Sequence, residues 1–127
     1  MNTHETYVSL ETAKLLKQLG FDWPCLEVWN DEKLTTWYEP KTNTWWNNLE
    51  VVYSAPTLAI AQKWIRDITD YQVEAICVYK EHKKKYSYAV YLGEYNNEIL
   101  EEDFDSYELA LEAGIKKCLE MILTKQQ

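Results

Sequence analysis

Glycine and proline are scarce in this chain, with three of each in 127 residues. Gly20, Gly93 and Gly114 stand too far apart for a GxGxxG turn or a P-loop, so no phosphate cradle of that kind is present. So few of either residue also argues against a low-complexity chain. Histidine occurs only at His4 and His82, and cysteine only at Cys25, Cys77 and Cys118. No two cysteines have zinc-ligand spacing, so neither a structural metal nor a cofactor is expected. Three widely spaced cysteines suit free thiols in a reducing cytoplasm. No apolar run approaches the roughly 18 residues of a membrane helix. The first residues lack the basic start and apolar block of a signal peptide. A cytoplasmic protein with no membrane role is therefore expected. Base is short as well: 13 Lys and Arg oppose 21 Asp and Glu, a net charge of −8. That balance opposes direct binding to nucleic acid, which relies on cations to neutralise phosphates.

Tryptophan, in contrast, is abundant. Trp23, Trp29, Trp37, Trp45 and Trp46 fall within 24 residues of one another, and Trp64 stands apart. The length and an apolar fraction of 46% fit one globular domain, residues 1–127, with 1–7 and 125–127 frayed at its ends.

The element pattern predicts an α+β fold of order α-β-β-α-β-β-(β)-α, with about three helices packed on an antiparallel sheet built from hairpins. Ser9 caps a helix from Leu10 to Leu19, and Gly20 supplies its left-handed stop. Pro56 opens a second helix, whose buried stripe is Leu58, Ala61, Trp64 or Ile65, and Ile68. Gln72–Lys80 and Tyr86–Leu92 are strands joined by the polar connection Glu81–Lys85. Ile99–Glu102 adds a short strand. Asp105 and Glu108 form a capping box for the last helix, which carries Leu111, Gly114, Cys118 and Met121 or Ile122 on one face.

In the tryptophan-rich region, Pro40-Lys41-Thr42-Asn43 reads as a turn joining strands Leu34–Glu39 and Thr44–Asn48. In that hairpin Trp37 faces Trp46 and Tyr38 faces Trp45, one pair on each side of the ribbon. A small domain buries one such pair readily. The other then needs a loop bearing Trp23 or Trp29, a second protomer or a ligand to cover it. The candidate interaction surface is accordingly Trp37, Tyr38, Trp45, Trp46 and Trp29.

Other clusters have plainer explanations. Glu101-Glu102-Asp103-Phe104-Asp105 lacks the alternate ligands and turn glycine of a calcium loop and reads as a solvated approach to a helix cap. Lys83, Lys84 and Lys85 with Tyr86, Tyr88 and Tyr91 could stack and track a single strand of nucleic acid, but they read better as a charged hairpin tip. No motif sets His4 or His82 beside a thiol, so Cys77 and Cys118 read as small core residues and no enzyme is expected.

Three stretches resemble a family of small uncharacterised proteins from phages, prophages and Bacteroidetes genomes. They are Ser9–Leu16 with Gly20–Cys25, Ala55–Leu58 with Ala61–Arg66, and Phe104–Ile115. The resemblance implies a cytoplasmic protein of mobile-element type and no activity. The function expected is a non-enzymatic accessory or protein-interaction domain, forming a homodimer or meeting a host protein partner. The alternative is an acidic nucleic-acid mimic that blocks a host nucleic-acid-binding protein, motivated by the net charge and by residues 86–104, where Glu94, Glu98, Glu101, Glu102 and Asp103 meet no base. A small-ligand enzyme using a cysteine or the Asp103/Asp105 pair is the remaining and weakest alternative.

Overall fold

The structure, a computed structural model, describes residues 6–46, 51–93 and 96–125, and for residues 96–102 the backbone course only. The fold is α+β: α1 (Leu10–Gln18), β1 (Cys25–Asn30), β2 (Lys33–Lys41), a 3-10 turn (Asn43–Trp46), β3 (Val52–Ser54), α2 (Leu58–Ile68), β4 (Tyr71–Lys80), β5 (Lys83–Leu92), β6 (Asn96–Phe104) and α3 (Tyr107–Lys125). The chain divides into two compact units, Met1–Thr57 and Leu58–Gln127. Each has its own three-stranded antiparallel sheet, ordered β2-β1-β3 in the first and β4-β5-β6 in the second. A helix followed by three strands thus occurs twice. The central strand differs between the two, so the halves are not copies of one topology.

In the first unit, Ser9 Oγ accepts from the Thr12 N–H and caps α1. Gly20 follows at φ +96, a left-handed conformation that glycine adopts without a Cβ penalty. The helix buries Thr12, Ala13 and Leu16. The N-terminal arm was expected to fray through residue 7. Instead Tyr7 bridges to Thr57, and Val8 donates its N–H to the Pro56 carbonyl at 3.0 Å. Val8 also accepts from the indole N–H of Trp29 at 2.9 Å. These bonds give the arm partners that water would otherwise supply. At the other end, Lys125 is the last residue of α3; residues 126–127 lie outside the described residues.

The first hairpin differs from the sequence expectation. β1 pairs with β2 through Val28↔Thr35 and Trp29↔Leu34, closed by Asp31-Glu32. The predicted return strand Thr44–Asn48 is a 3-10 turn over Asn43–Trp46, and Asn47 and Asn48 lie outside the described residues. The physical reason is a competing set of hydrogen bonds. Asn43 turns inward, donating to the Phe21 carbonyl at 2.7 Å and accepting the Ser54 N–H at 2.9 Å. Asp22 accepts both the N–H and the hydroxyl of Thr44, each at 2.7 Å. A ladder between Thr44 and Glu39 would have to give up these bonds.

In the second unit, α3 packs against β4 and β5, and α2 against β4 and α3. Gly114 faces Val73 and Tyr88 so closely that a Cβ built there would stand 2.8 Å from Val73 Cγ2 and 2.9 Å from Tyr88 Cβ and Cγ. Around this contact Val73, Tyr88, Val90, Ala110, Leu111, Ile115, Cys118 and Leu119 are buried. α2 begins at Leu58, two residues later than its proline suggested, and buries both Trp64 and Ile65. Ile68, assigned to its buried stripe, is exposed at the helix end. α3 is capped by Ser106, whose Oγ accepts the Leu109 N–H at 3.1 Å, rather than by Asp105. Asp105 instead binds Lys85 Nζ at 2.5 Å, and this ion pair holds its carboxyl below the usual range. The lysines expected in a connecting loop are the opening residues of β5, paired as Lys80↔Lys83, Tyr79↔Lys84 and Val78↔Lys85.

Both hairpins are closed by two-residue turns whose central residues are left-handed and not glycine: Asp31 at φ 50 and Glu32 at φ 68, Glu81 at φ 51 and His82 at φ 67. Turns of this hand match the twist of the strands but favour Asn-Gly. The variants Glu32→Gly and His82→Gly are each expected to raise stability by about 0.5–1 kcal/mol, the relief of left-handed strain less the chain entropy that glycine adds. Urea denaturation checks this through a higher midpoint at unchanged slope.

Candidate interaction surface

The register of β2 against β1 runs evenly from Lys33 to Thr36 and resumes at Lys41↔Cys25, while Leu26 is the only β1 residue between the two regions. Trp37, Tyr38, Glu39 and Pro40 therefore bulge from the ladder. A bulge bends a strand and redirects its side chains, and Pro40, which has no N–H to donate, is tolerated there. The consequence is visible in the rings. Tyr38 does not alternate away from Trp37 but stacks on it, with centroids 5.5 Å apart and planes at 21°. Trp46 meets Trp37 edge-on at 5.3 Å and 90°.

The four aromatic residues then part company by depth. Trp46 is 4% exposed and clusters with Val28 and Val52, and Trp37 packs half-buried against them. Tyr38 is 84% exposed and Trp45 60% exposed. The Trp37/Trp46 contact expected from the sequence exists, but it forms between a bulge and a 3-10 turn rather than across a hairpin. Trp29 is half-buried and bonded to Val8, so it lies apart from the exposed pair. Neither Trp37 Nε1 nor Trp46 Nε1 has a hydrogen-bond partner among the described residues. These two indoles pack on each other and on Val28 and Val52.

The exposed rings are held from beneath. Lys41 places its ammonium 3.7 Å from the Trp45 ring centroid, a cation–π contact, and 2.8 Å from the Glu39 carboxylate. The Trp45 N–H donates to the Thr42 carbonyl at 3.0 Å. Trp45 and Tyr38 are thus large, rigid, solvent-facing rings. Such residues lose little rotamer entropy on contact and anchor protein interfaces.

The other sequence candidates fare differently. Burial pushes the thiols of Cys25 and Cys118 up to about 12, so both are protonated and weakly nucleophilic at neutral pH. Cys77 is exposed on β4. His82 occupies the second hairpin turn, and His4 lies outside the described residues. Asp103 and Asp105 each stand beside a lysine: Lys80 sits 2.9 Å from Asp103, and Lys85 holds Asp105. With Lys63–Asp67 in the second unit and Lys41–Glu39 in the first, these pairs set carboxylates beside ammonium groups in each unit. The side chains of Glu94, Glu98, Glu101 and Glu102 lie outside the described residues. Among the described residues no cluster of His, Cys, Asp or Glu could hold a metal ion, and no helix is long and apolar enough to cross a membrane.

Exposure of Tyr38 and Trp45 was open in the sequence, because which pair is buried depends on the bulge. Two signals do mark the true first hairpin. Cys25–Trp29 is rich in β-formers, and a returning run, Leu34–Trp37, begins soon after Asp31-Glu32. No family profile matches the chain, and comparison with curated proteins and with solved structures returns no match.

Proposed function

We propose that the protein is a non-enzymatic interaction domain that offers Tyr38 and Trp45 to a protein partner. The observation that carries this reading is the pairing of high exposure with rigid support: Tyr38 rests on Trp37, and Trp45 on Lys41. Exposed aromatic rings with this support are costly to maintain in water and typical of contact sites. A cytoplasmic setting of phage or mobile-element type belongs to the same reading and follows from the family resemblance of the helical segments.

The double variant Tyr38→Ala/Trp45→Ala tests it. Both rings are mostly in water, so the folded state should survive with a thermal midpoint close to wild type. A partner protein captured by the tagged wild-type chain should be lost from the double variant, with each single variant weakening capture by about tenfold or more. Equal capture by wild type and double variant would defeat the reading.

A further inference from the structure

The second sheet has an open edge with a symmetric pattern. Among the described residues β4 is an outer strand, paired with β5 alone. Its hairpin closes at Lys80↔Lys83 around a two-residue turn, so Lys80, Val78, Ile76 and Glu74 direct their backbone groups toward β5, and Tyr79, Cys77, Ala75 and Val73 direct theirs outward. The Val73 carbonyl confirms this direction, because Gln62 of α2 reaches it from outside the ladder at 2.8 Å. That side chain caps the edge at one end, and the turn at Glu81-His82 ends it at the other. The uncapped outward positions are Ala75, Cys77 and Tyr79, and Cys77 is their midpoint. Cys77 is exposed and Tyr79 is 71% exposed.

We propose that this edge pairs with the β4 edge of a second copy of the chain, antiparallel, about a two-fold axis through Cys77. Every facing pair in that register is compatible. Cys77 meets Cys77, Tyr79 covers the small Ala75, and Ile76 meets Val78. Glu74 meets Lys80, whose ammonium then lies between the partner's carboxylate and its own Asp103 at 2.9 Å, so each copy contributes one carboxylate and one ammonium to two equivalent contacts. Two-fold contacts need such self-complementarity, and opposite charges or apolar groups directly across a ladder stabilise it. The Tyr91 hydroxyl donates to Glu74 at 2.7 Å and so fixes the carboxylate on the face it shares with Lys80. About six backbone hydrogen bonds join the edges, and the two sheets become one of six strands. This contact is separate from Tyr38 and Trp45, which belong to the other unit.

Sedimentation equilibrium of the full chain tests it. The wild type is expected to be a dimer at micromolar concentration. Cys77→Pro removes an outward N–H while leaving the β4–β5 ladder its donors, and should give a folded monomer. Glu74→Lys, a surface change that does not depend on that backbone substitution, should weaken the dimer by about tenfold by setting like charges opposite each other twice. Cys77→Ser should remain a dimer, and mild oxidation should link wild-type chains through Cys77 alone. A monomeric wild type, or a dimer indifferent to Glu74→Lys and not cross-linked at Cys77, would overturn the proposal. Loss of partner capture by the Tyr38/Trp45 double variant with the dimer intact would separate the two interfaces.

Discussion

Gly114→Val should strongly destabilise the second unit, with a loss of about 3 kcal/mol or more. Glycine inside a helix normally costs about 1 kcal/mol relative to alanine, so a naive expectation is that filling the position helps. The distances decide otherwise. Even a Cβ would stand 2.8 Å from Val73 Cγ2 and 2.9 Å from two Tyr88 atoms. Tyr88 Cβ is tied to the β5 backbone and cannot swing aside. Overpacking of a well-filled core typically costs about 1–3 kcal/mol and at times more, and valine adds three carbons. Gly114→Ala is therefore expected to destabilise by about 1–2 kcal/mol despite its better helix propensity, with valine well beyond it. Chemical denaturation followed by far-UV circular dichroism would rank the three proteins. An alanine variant more stable than wild type would mean that α3 is free to shift from the sheet.

Asn43→Ala should damage the first unit to a similar degree, by about 3 kcal/mol. The side chain is mostly buried and spends both ends of its amide on backbone: Nδ2 donates to the Phe21 carbonyl and Oδ1 accepts the Ser54 N–H. Alanine removes both bonds, and a buried hydrogen bond lost in this way costs about 1–3 kcal/mol. These bonds tie the chain after α1 and the short strand β3 to the 3-10 turn that carries Trp45 and Trp46. The variant should therefore change tryptophan emission at lower denaturant than wild type, and five of the six tryptophans report on this unit. Asn43→Asp, which keeps an acceptor for Ser54 but sets a lone pair against the Phe21 carbonyl, should also be destabilising. Wild-type stability in Asn43→Ala would show that water replaces the amide at no cost.

Asn43 also marks the limit of what the sequence conveys. After Pro40-Lys41-Thr42 an asparagine looks like an ordinary turn residue, and turn chemistry is local. Its actual role is set by Phe21 and Ser54, more than ten residues away on either side. The ends of α1 were legible because their signals are equally local, Ser9 at its start and Gly20 just past its stop, whereas α2 starts at Leu58 with Ile68 exposed and α3 takes its cap from Ser106 instead of Asp105. The first hairpin was misplaced because Asp31-Glu32 carries none of the glycine or asparagine that normally announces a left-handed turn. The lysines of β5 looked like loop for a related reason. Lys83, Lys84 and Lys85 have weak strand preference, and their pairing with β4 overrides it. The aromatic residues of the candidate surface were legible as a group. Their division into a buried pair and an exposed pair was not, since a bulge of four residues follows from no residue taken alone.

Those two left-handed turns also bear on the order of folding. A hairpin with a favourable turn can close on its own and then recruit the rest of the chain. Here neither turn rewards early closure, because four residues enter a conformation that resists them. The drive to zip β1 to β2 and β4 to β5 has to come from burying Val28, Val73 and Val90, much of it against elements distant in sequence. The expected order is therefore helices first, with each sheet assembling on them as its core closes, and φ-values near 1 in α1 and α3 with values near 0 in both turns would bear this out. Glycine in the turns would move hairpin closure earlier, changing the sequence of events while leaving the final packing as it stands.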